Sequence, residues 1–362
     1  MTGKERFHAL MRREPVDRLP IDFTATHEME RKLAAVLAGG DADLLRKKLG
    51  VDFYRVFPAP VKSAKGEYYA HIFTEDLGQG VFKDSWGVTW KRAAMECGDV
   101  FYDVVDFPLK DAETVRDVED FPWPDPEQEW DFSTMAKEAA HHPDLAIVSG
   151  TSAVFDDAWR MRGIDRFMMD LALNPDLARA ILRKSCDYWT KFARLILENM
   201  HVDMMCLSDD LGTQNGLFIS REMFREFVMP LTRERVDLFK RFGARIFMHS
   251  CGGIFPIIPD IIEAGVEILN PIQPRAKGMD RREIKKAFGS RLIFHGSIDQ
   301  QKIMIFGSKD DVAKETRECI EVLGKGGGYI VSPSHALESD IPVENVVALY
   351  ETAQSLDLTP SE

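Results

Sequence analysis

Cysteine is sparse in this 362-residue chain. The five present (Cys97, Cys186, Cys206, Cys251 and Cys319) are odd in number and scattered, which excludes a disulfide framework and points to a reducing cytoplasm. Long apolar runs are missing as well. No window approaches the roughly 20 consecutive apolar residues that a membrane-spanning helix needs. The opening Met1-Thr2-Gly3-Lys4-Glu5-Arg6 starts an amphipathic stretch and lacks the apolar run of a secretory signal. Basic clusters are equally rare. With a net charge of −13 and no long Lys/Arg run, the chain offers no evident surface for nucleic acid or an anionic membrane. There is no internal repeat and no low-complexity linker. The run Gly326-Gly327-Gly328 is not followed by Lys-Ser/Thr and leads into a strand, so it reads as a turn, not a phosphate cradle.

What the chain does have is apolar material in a regular rhythm. An apolar fraction of 45% suffices for a large core and argues against disorder. Eight short apolar runs, most ending in a polar or glycine cluster, alternate with helical patterns: Leu19–Phe23, Phe53–Phe57, Leu145–Gly150, Val202–Leu207, Ile246–His249, Val266–Asn270, Leu292–Gly296 and Tyr329–Ser332. Continuous apolar strands alternating with helices predict a parallel sheet covered on both faces. Eight of them predict an α/β fold of the closed (β/α)8 TIM-barrel type, and such barrels run to this length as one unit, here a single domain over 1–362. Helices are expected at Pro175–Asn199, Arg221–Arg241 and Lys309–Leu323, the last ended by Gly324. The rhythm breaks between 58 and 142. There Phe82–Trp90 looks like a hairpin arm, and the three prolines of Phe121–Pro126 impose a rigid extended segment. This region reads as an insertion at the barrel mouth: a lid, an oligomer contact, or decoration without a role.

Barrel active sites are built at the carboxyl ends of the strands. The most informative such end is Phe247-Met248-His249-Ser250-Cys251-Gly252-Gly253, which places an imidazole and a thiol two residues apart, relaxed by two glycines. Neutral imidazole and thiolate are ligand types that zinc prefers, with further ligands to come from elsewhere. The bland alternative is a core histidine beside a buried cysteine. Other strand ends supply Ser149-Gly150-Thr151, Asp209-Asp210, Asn270 with Gln273, His295 and Ser332-Pro333-Ser334-His335. Asp209 could bind substrate, ligate metal or move a proton, or serve turn chemistry alone. Asn270-Pro271-Ile272-Gln273-Pro274 sets two amides among prolines, suited to holding a substrate or merely to a tight connection. His295 reads as a satisfied structural histidine, and Cys206 and Cys319 read as core.

These residues carry a family resemblance. Arg13-Glu14-Pro15-Val16-Asp17-Arg18-Leu19-Pro20, the His249–Gly253 stretch, Gly296-Ser297-Ile298-Asp299 and the closing Pro333–Val346 together resemble the uroporphyrinogen decarboxylase superfamily, nearly end to end. The resemblance implies a (β/α)8 barrel and one of two chemistries: cofactor-free porphyrinogen decarboxylation, or zinc-dependent methyl transfer with a corrinoid protein. The second is favoured. The decarboxylases' paired arginines after the first strand are reduced to the late Arg31. Their aspartate after the second strand is missing from Val56–Pro60. Their tyrosine after Gly150 has no counterpart in Thr151–Trp159. His249 and Cys251 match the methyltransferase pair. The further cysteine of the thiol-methylating members is replaced by Ser332-Pro333-Ser334-His335, so His335 would stand as the third ligand or contact substrate, and Asp209 could complete the shell.

The expected activity is therefore a zinc-dependent methyltransferase moving a methyl group between a small methylated substrate (methoxy or similar) and a corrinoid. His249, Cys251 and His335 would be metal ligands and Asp209 and His335 catalytic groups. Asp210, Gln214, Asn270 and Gln273 would orient substrate, and Phe155 and Trp159 would stack on a ring or on the corrin unless they pack beneath the following helix. The Asp-x-His-x-x-Gly signature of a cobalamin domain is missing, so the corrinoid would come on a partner protein or free. Two rivals stand beside this reading: a metal-free decarboxylase or lyase using His335 and Asp209, and a non-catalytic corrinoid or porphyrin binder. Oligomerisation is left open.

Overall fold

The computed structural model describes residues 1–61, 67–68 and 71–356; the last residues of the expected 1–362 domain, 357–362, and residues 62–66 and 69–70 of the expected insertion lie outside the described residues. Seven strands pair in chain order into one sheet: β1 (Phe53–Arg55), β2 (Ala146–Ala153), β3 (Met204–Ser208), β4 (Arg245–His249), β5 (Ile268–Asn270), β6 (Ile293–His295) and β7 (Tyr329–Ile330). Every pairing between neighbours is parallel. Met204, Met205, Leu207, Ile246, Met248, Ile268, Leu269, Phe294, Tyr329 and Ile330 are completely buried, as strands covered on both faces require.

The sheet is curled but does not close into a barrel of eight strands. Leu19–Phe23, expected as the first strand, makes only an isolated parallel bridge, Ile21 to Val331. Its backbone donors explain why. Pro20 has no N–H to give. The Ile21 N–H goes to the Asp52 carboxylate at 2.8 Å and the Phe23 N–H to Asp22's own carboxylate at 2.8 Å, leaving the Asp22 N–H to reach Val331 O at 2.9 Å. Side-chain carboxylates thus displace the ladder that apolar patterning alone would have made.

Helices follow the strands. Helix α1 (Val154–Arg162) starts directly after β2, and α2 (Pro175–Asn199) carries proline in its first turn, where a missing N–H costs nothing. The α2 helix turns Leu177, Ile181, Leu182, Trp189, Phe192 and Ile196 inward. The span expected as one helix, Arg221–Arg241, is interrupted by a π turn at Phe224–Val228 before α3 (Met229–Arg241). Pro230 cannot donate to a carbonyl one turn back, and the widened turn lies immediately ahead of it. Helix α4 (Lys309–Leu323) has a reciprocal cap between Ser308 and Asp311 and ends before Gly324; α5 (Val343–Ser355) closes the described chain.

The 58–142 region contains a five-stranded antiparallel sheet over residues 67–106 and short helices. The expected hairpin is present as Val81–Asp84 paired with Thr89–Ala94. Asp84 holds its turn by accepting from the N–H groups of Trp86 and Val88 and from Trp90 Nε1. Trp86 packs against Tyr188 (centroids 4.7 Å apart) and Trp189 (6.2 Å) of α2, so the insertion's apolar residues run on into the core under the main sheet. No helix among the described residues is long and apolar enough to cross a membrane.

Candidate metal centre and cavity

Register builds the centre. Ser208 of β3 pairs with His249 of β4, and His249 with Asn270 of β5. The pairing of Leu269 with Phe294 brings Asn270 and His295 to the next level together. Side chains at one level of a parallel sheet face the same way, so four strand ends deliver polar groups to one side. Here the carboxyl end of the sheet opens on a cavity of about 720 Å³.

His249, Cys251 and His335 converge at this end, each offering one ligand atom, and the three atoms lie within 4.8 Å of one another. Cys251 Sγ is 3.4 Å from His249 Nε2. The rings of His249 and His335 meet edge to face with centroids 5.8 Å apart. The loop carrying Cys251 is tied down at each backbone donor. Asp210 Oδ1 accepts the Cys251 N–H at 2.8 Å, Gln273 Oε1 accepts the Gly252 N–H at 2.7 Å, and Thr213 O accepts the Gly253 N–H at 2.8 Å. Gly252 has φ +87°, and a Cβ there would sit 2.3 Å from the carbonyl carbon of Gly212, so only glycine lets the two loops lie together.

The electrostatics suit a cation. Burial, reinforced by the negative charges of Asp210 and Asp156, pushes the Cys251 thiol above its ordinary range, so a thiolate there calls for a positive partner at close range. His335 borders the cavity, where desolvation, helped by nearby His249, lowers its pKa and favours neutral imidazole. Two imidazole nitrogens and one sulfur are a donor set that zinc accepts, with room for a fourth ligand from the cavity side. The residues present therefore fit the metal expected from the sequence.

The other expected residues divide. Asp210, Asn270 and Trp159 line the cavity. Asp209 does not reach it. Its side chain is fully buried, one oxygen 3.0 Å from Arg235 Nη2 and the other accepting the Phe155 N–H at 2.6 Å. It locks α1 onto the end of β3 and does not line the cavity. Phe155 is also buried, packed edge-on against Phe167 (5.7 Å), as its packing alternative had it. Gln273 spends its carbonyl on Gly252, and Gln214 sits exposed in the turn between Gly212–Thr213 and Gly216–Leu217. His295 is buried, as a satisfied histidine should be, but in contact with Asn270. Cys319 is core; Cys206 is only half-buried and borders the cavity.

Sequence reasoning passed over several wall residues. Arg55 of β1 stands at the cavity with both Asp22 oxygens, at 2.8 and 2.6 Å. Asp156, in the first turn of α1, is buried at the cavity wall, and desolvation together with Asp210 and Asp209 pushes it up to about 7 against the pull of Arg160. Arg160 lies over Trp159 (5.3 Å) and Trp90 (5.8 Å) and pairs with Asp157 at 2.9 Å. Trp90, Tyr102 and Val104 bring the antiparallel sheet of the insertion into the cavity wall. Tyr102 and Val104 gave no signal in sequence, because which side of a twisted strand faces the mouth depends on how the insertion docks. Asp156 did give one: an acid in the first turn of a helix that follows a strand.

The chain is similar to known proteins along most of its length. Two curated relatives, each named methylcobamide:CoM methyltransferase MtbA, are 21% identical over 370 residues (Methanosarcina acetivorans) and 22% over 368 residues (Methanosarcina mazei), covering 98% of this chain and of each relative. A uroporphyrinogen decarboxylase of Coxiella burnetii is 21% identical over 193 residues, 52% of this chain and 50% of the relative. Among solved structures, a methyltransferase from Methanosarcina mazei superposes with a TM-score of 0.67 at 18% identity over 98% of both chains, a likeness of fold. Residues 104–356 match the uroporphyrinogen decarboxylase (URO-D) family, and the chain belongs to that family.

Proposed function

We propose that this chain is a zinc-dependent methyltransferase, moving a methyl group between a small methylated substrate, methoxy or similar, and a corrinoid supplied by a partner protein or free. The observation that carries the reading is the convergence of His249, Cys251 and His335 within 4.8 Å, with His249 and His335 lining the cavity. The methyltransferase names of relatives aligned along almost the whole chain support it.

These three side chains would hold the metal, which when bound supplies Lewis acidity to the heteroatom that exchanges the methyl group. The remaining work falls to the protein. Asp210 fixes the backbone of Cys251. Asn270 occupies Nδ1 of His249 at 2.6 Å and leaves Nε2 for the cavity. Asp156, with its pKa near 7, is able to hold a proton at the cavity wall or give one up. Trp159 and Trp90, with Arg160 across them, form a stiff wall against which a flat group can lie. Trp90, Tyr102 and Val104 of the insertion would help keep water from the cavity they line, and electrostatic stabilisation of a departing anion is strongest where water is kept out.

The test is Cys251→Ser, with bound zinc measured by elemental analysis and methyl exchange with a free corrinoid followed spectroscopically. Zinc content and exchange should both collapse. Unchanged zinc and unchanged exchange would end the proposal, and methyl exchange by zinc-free wild type would end the zinc part of it.

A further inference from the structure

A run of polar side chains leads from the metal centre into the interior of the sheet. His249 Nδ1 lies 2.6 Å from Asn270 Oδ1, Asn270 Nδ2 lies 2.8 Å from His295 Nδ1, and His295 Nε2 lies 2.8 Å from Asp22 Oδ2. Arg55 ends the run on both Asp22 oxygens. Asn270, His295 and Asp22 are 7%, 2% and 0% exposed, so water has little part in it. The run crosses the sheet because register sets His249, Asn270 and His295 side by side on three adjacent strands, while Asp22 comes from the segment bridged to Val331.

The direction of each bond can be worked out from groups that have no choice. Asp22, held by Arg55, is a carboxylate and only accepts. His295 Nε2 must therefore donate to it. Asn270 Nδ2 also faces the backbone carbonyl of His295 at 3.5 Å, and a carbonyl only accepts. That fixes the amide with its nitrogen toward His295 and its oxygen toward His249. An amide oxygen accepts, so His249 Nδ1 must carry the hydrogen, and Nε2 keeps its lone pair pointed at Cys251 Sγ. Turning the amide over would set its accepting oxygen against two acceptors, His295 Nδ1 and the His295 carbonyl, and its donating nitrogen against His249 Nδ1, which would then have to accept and leave Nε2 protonated, unable to bind a cation.

We infer that Asn270, His295 and Asp22 are positioning residues that hold His249 in its Nδ1–H tautomer, presenting the Nε2 lone pair to a metal ion. The inference rests on the reading of His249 as a ligand. It adds that the ligand's readiness is set by an amide and a second imidazole interposed before the carboxylate. Outer partners of metal-binding histidines commonly orient the ring and raise its basicity, and losing one costs about 10–100-fold in metal affinity.

Two measurements test it. In the full chain labelled with ¹⁵N-histidine and freed of metal, long-range proton–nitrogen correlations should show His249, assigned with a His249→Gln control, as the Nδ1–H form. A predominant Nε2–H form would overturn the inference without any folding question arising. In a chelator competition, Asn270→Leu should weaken zinc binding by about 10–100-fold, whereas Asn270→Asp, which still accepts from Nδ1–H, should restore most of it. Equal zinc affinity for wild type and Asn270→Leu would also overturn it. Should the wild type take up no zinc, the metal reading falls, and the tautomer result alone decides the inference.

Discussion

Arg235→Met keeps an unbranched chain of similar length in the core but removes the charge that pairs with Asp209. Both side chains are 0% exposed and their atoms are 3.0 Å apart. Removing one member of a buried pair costs about 3–5 kcal/mol, because the other is left charged and uncompensated. Asp209 would retain a single bond, from the Phe155 N–H at 2.6 Å. Its titration sharpens the expectation. Burial pushes Asp209 up to about 6 even with the guanidinium in place, against about 3.9 in an unfolded chain. With the folded value raised, the carboxyl's contribution to stability is complete below about pH 4 and is lost as pH rises through about 6. Without Arg235 the folded value climbs further, so the variant retains a proton that the wild type and the unfolded chain have released. Its penalty relative to wild type should grow above about pH 6 by as much as ~1.4 kcal/mol per pH unit. Urea unfolding at about pH 5.5, 7 and 8, with unfolding slopes compared to confirm a common mechanism, reads this directly. A penalty that does not change with pH, or one under about 1 kcal/mol at the highest pH, would refute the reasoning.

Two further outcomes are expected. Asp156 is raised to about 7, so its contribution to stability is present below the unfolded value and lost as pH rises through about 7. Asp156→Asn should therefore gain on wild type by up to ~1.4 kcal/mol per pH unit from about pH 4 to 7 and hold that gain above; parallel stability–pH curves would show that the carboxyl is not perturbed. Gly252→Ala places a methyl group 2.3 Å from Gly212 at φ +87°. The strain should cost more than about 1 kcal/mol in a thermal melt and, by separating Cys251 from His249, weaken zinc binding; a variant with wild-type melting and wild-type zinc affinity would show that the loop has slack.

Much of the fold could be read from residue patterns because its strands are buried on both faces. Such strands are continuous apolar runs with polar ends, visible without knowing their neighbours. Seven of the eight expected runs form the parallel sheet, in chain order. The eighth fails for a reason that no hydropathy pattern records: Asp52 and Asp22 take backbone donors that a strand would have used. The expected helix over Arg221–Arg241 was readable in extent, and Pro230 was in view, yet its π turn is a matter of how the chain absorbs a missing hydrogen bond.

The site divides along the same physical line. His249, Cys251 and His335 could be proposed from sequence because ligand chemistry belongs to the residue type and strand ends are locally marked. Asp209 and Asp210, adjacent in the chain, looked alike, yet the backbone sends one inward to Arg235 and the other to the Cys251 loop. Arg55, Asp22, Asn270 and His295 come from segments as much as 273 residues apart. Their joining depends on strand register and on the direction each hydrogen bond is forced to take. Residue identity alone determined which side chains could bind a metal and which segments would be strands. Only the folded chain decided which carboxylate faces the cavity and which imidazole nitrogen is left free, because burial and orientation are properties of neighbours that the linear order does not contain.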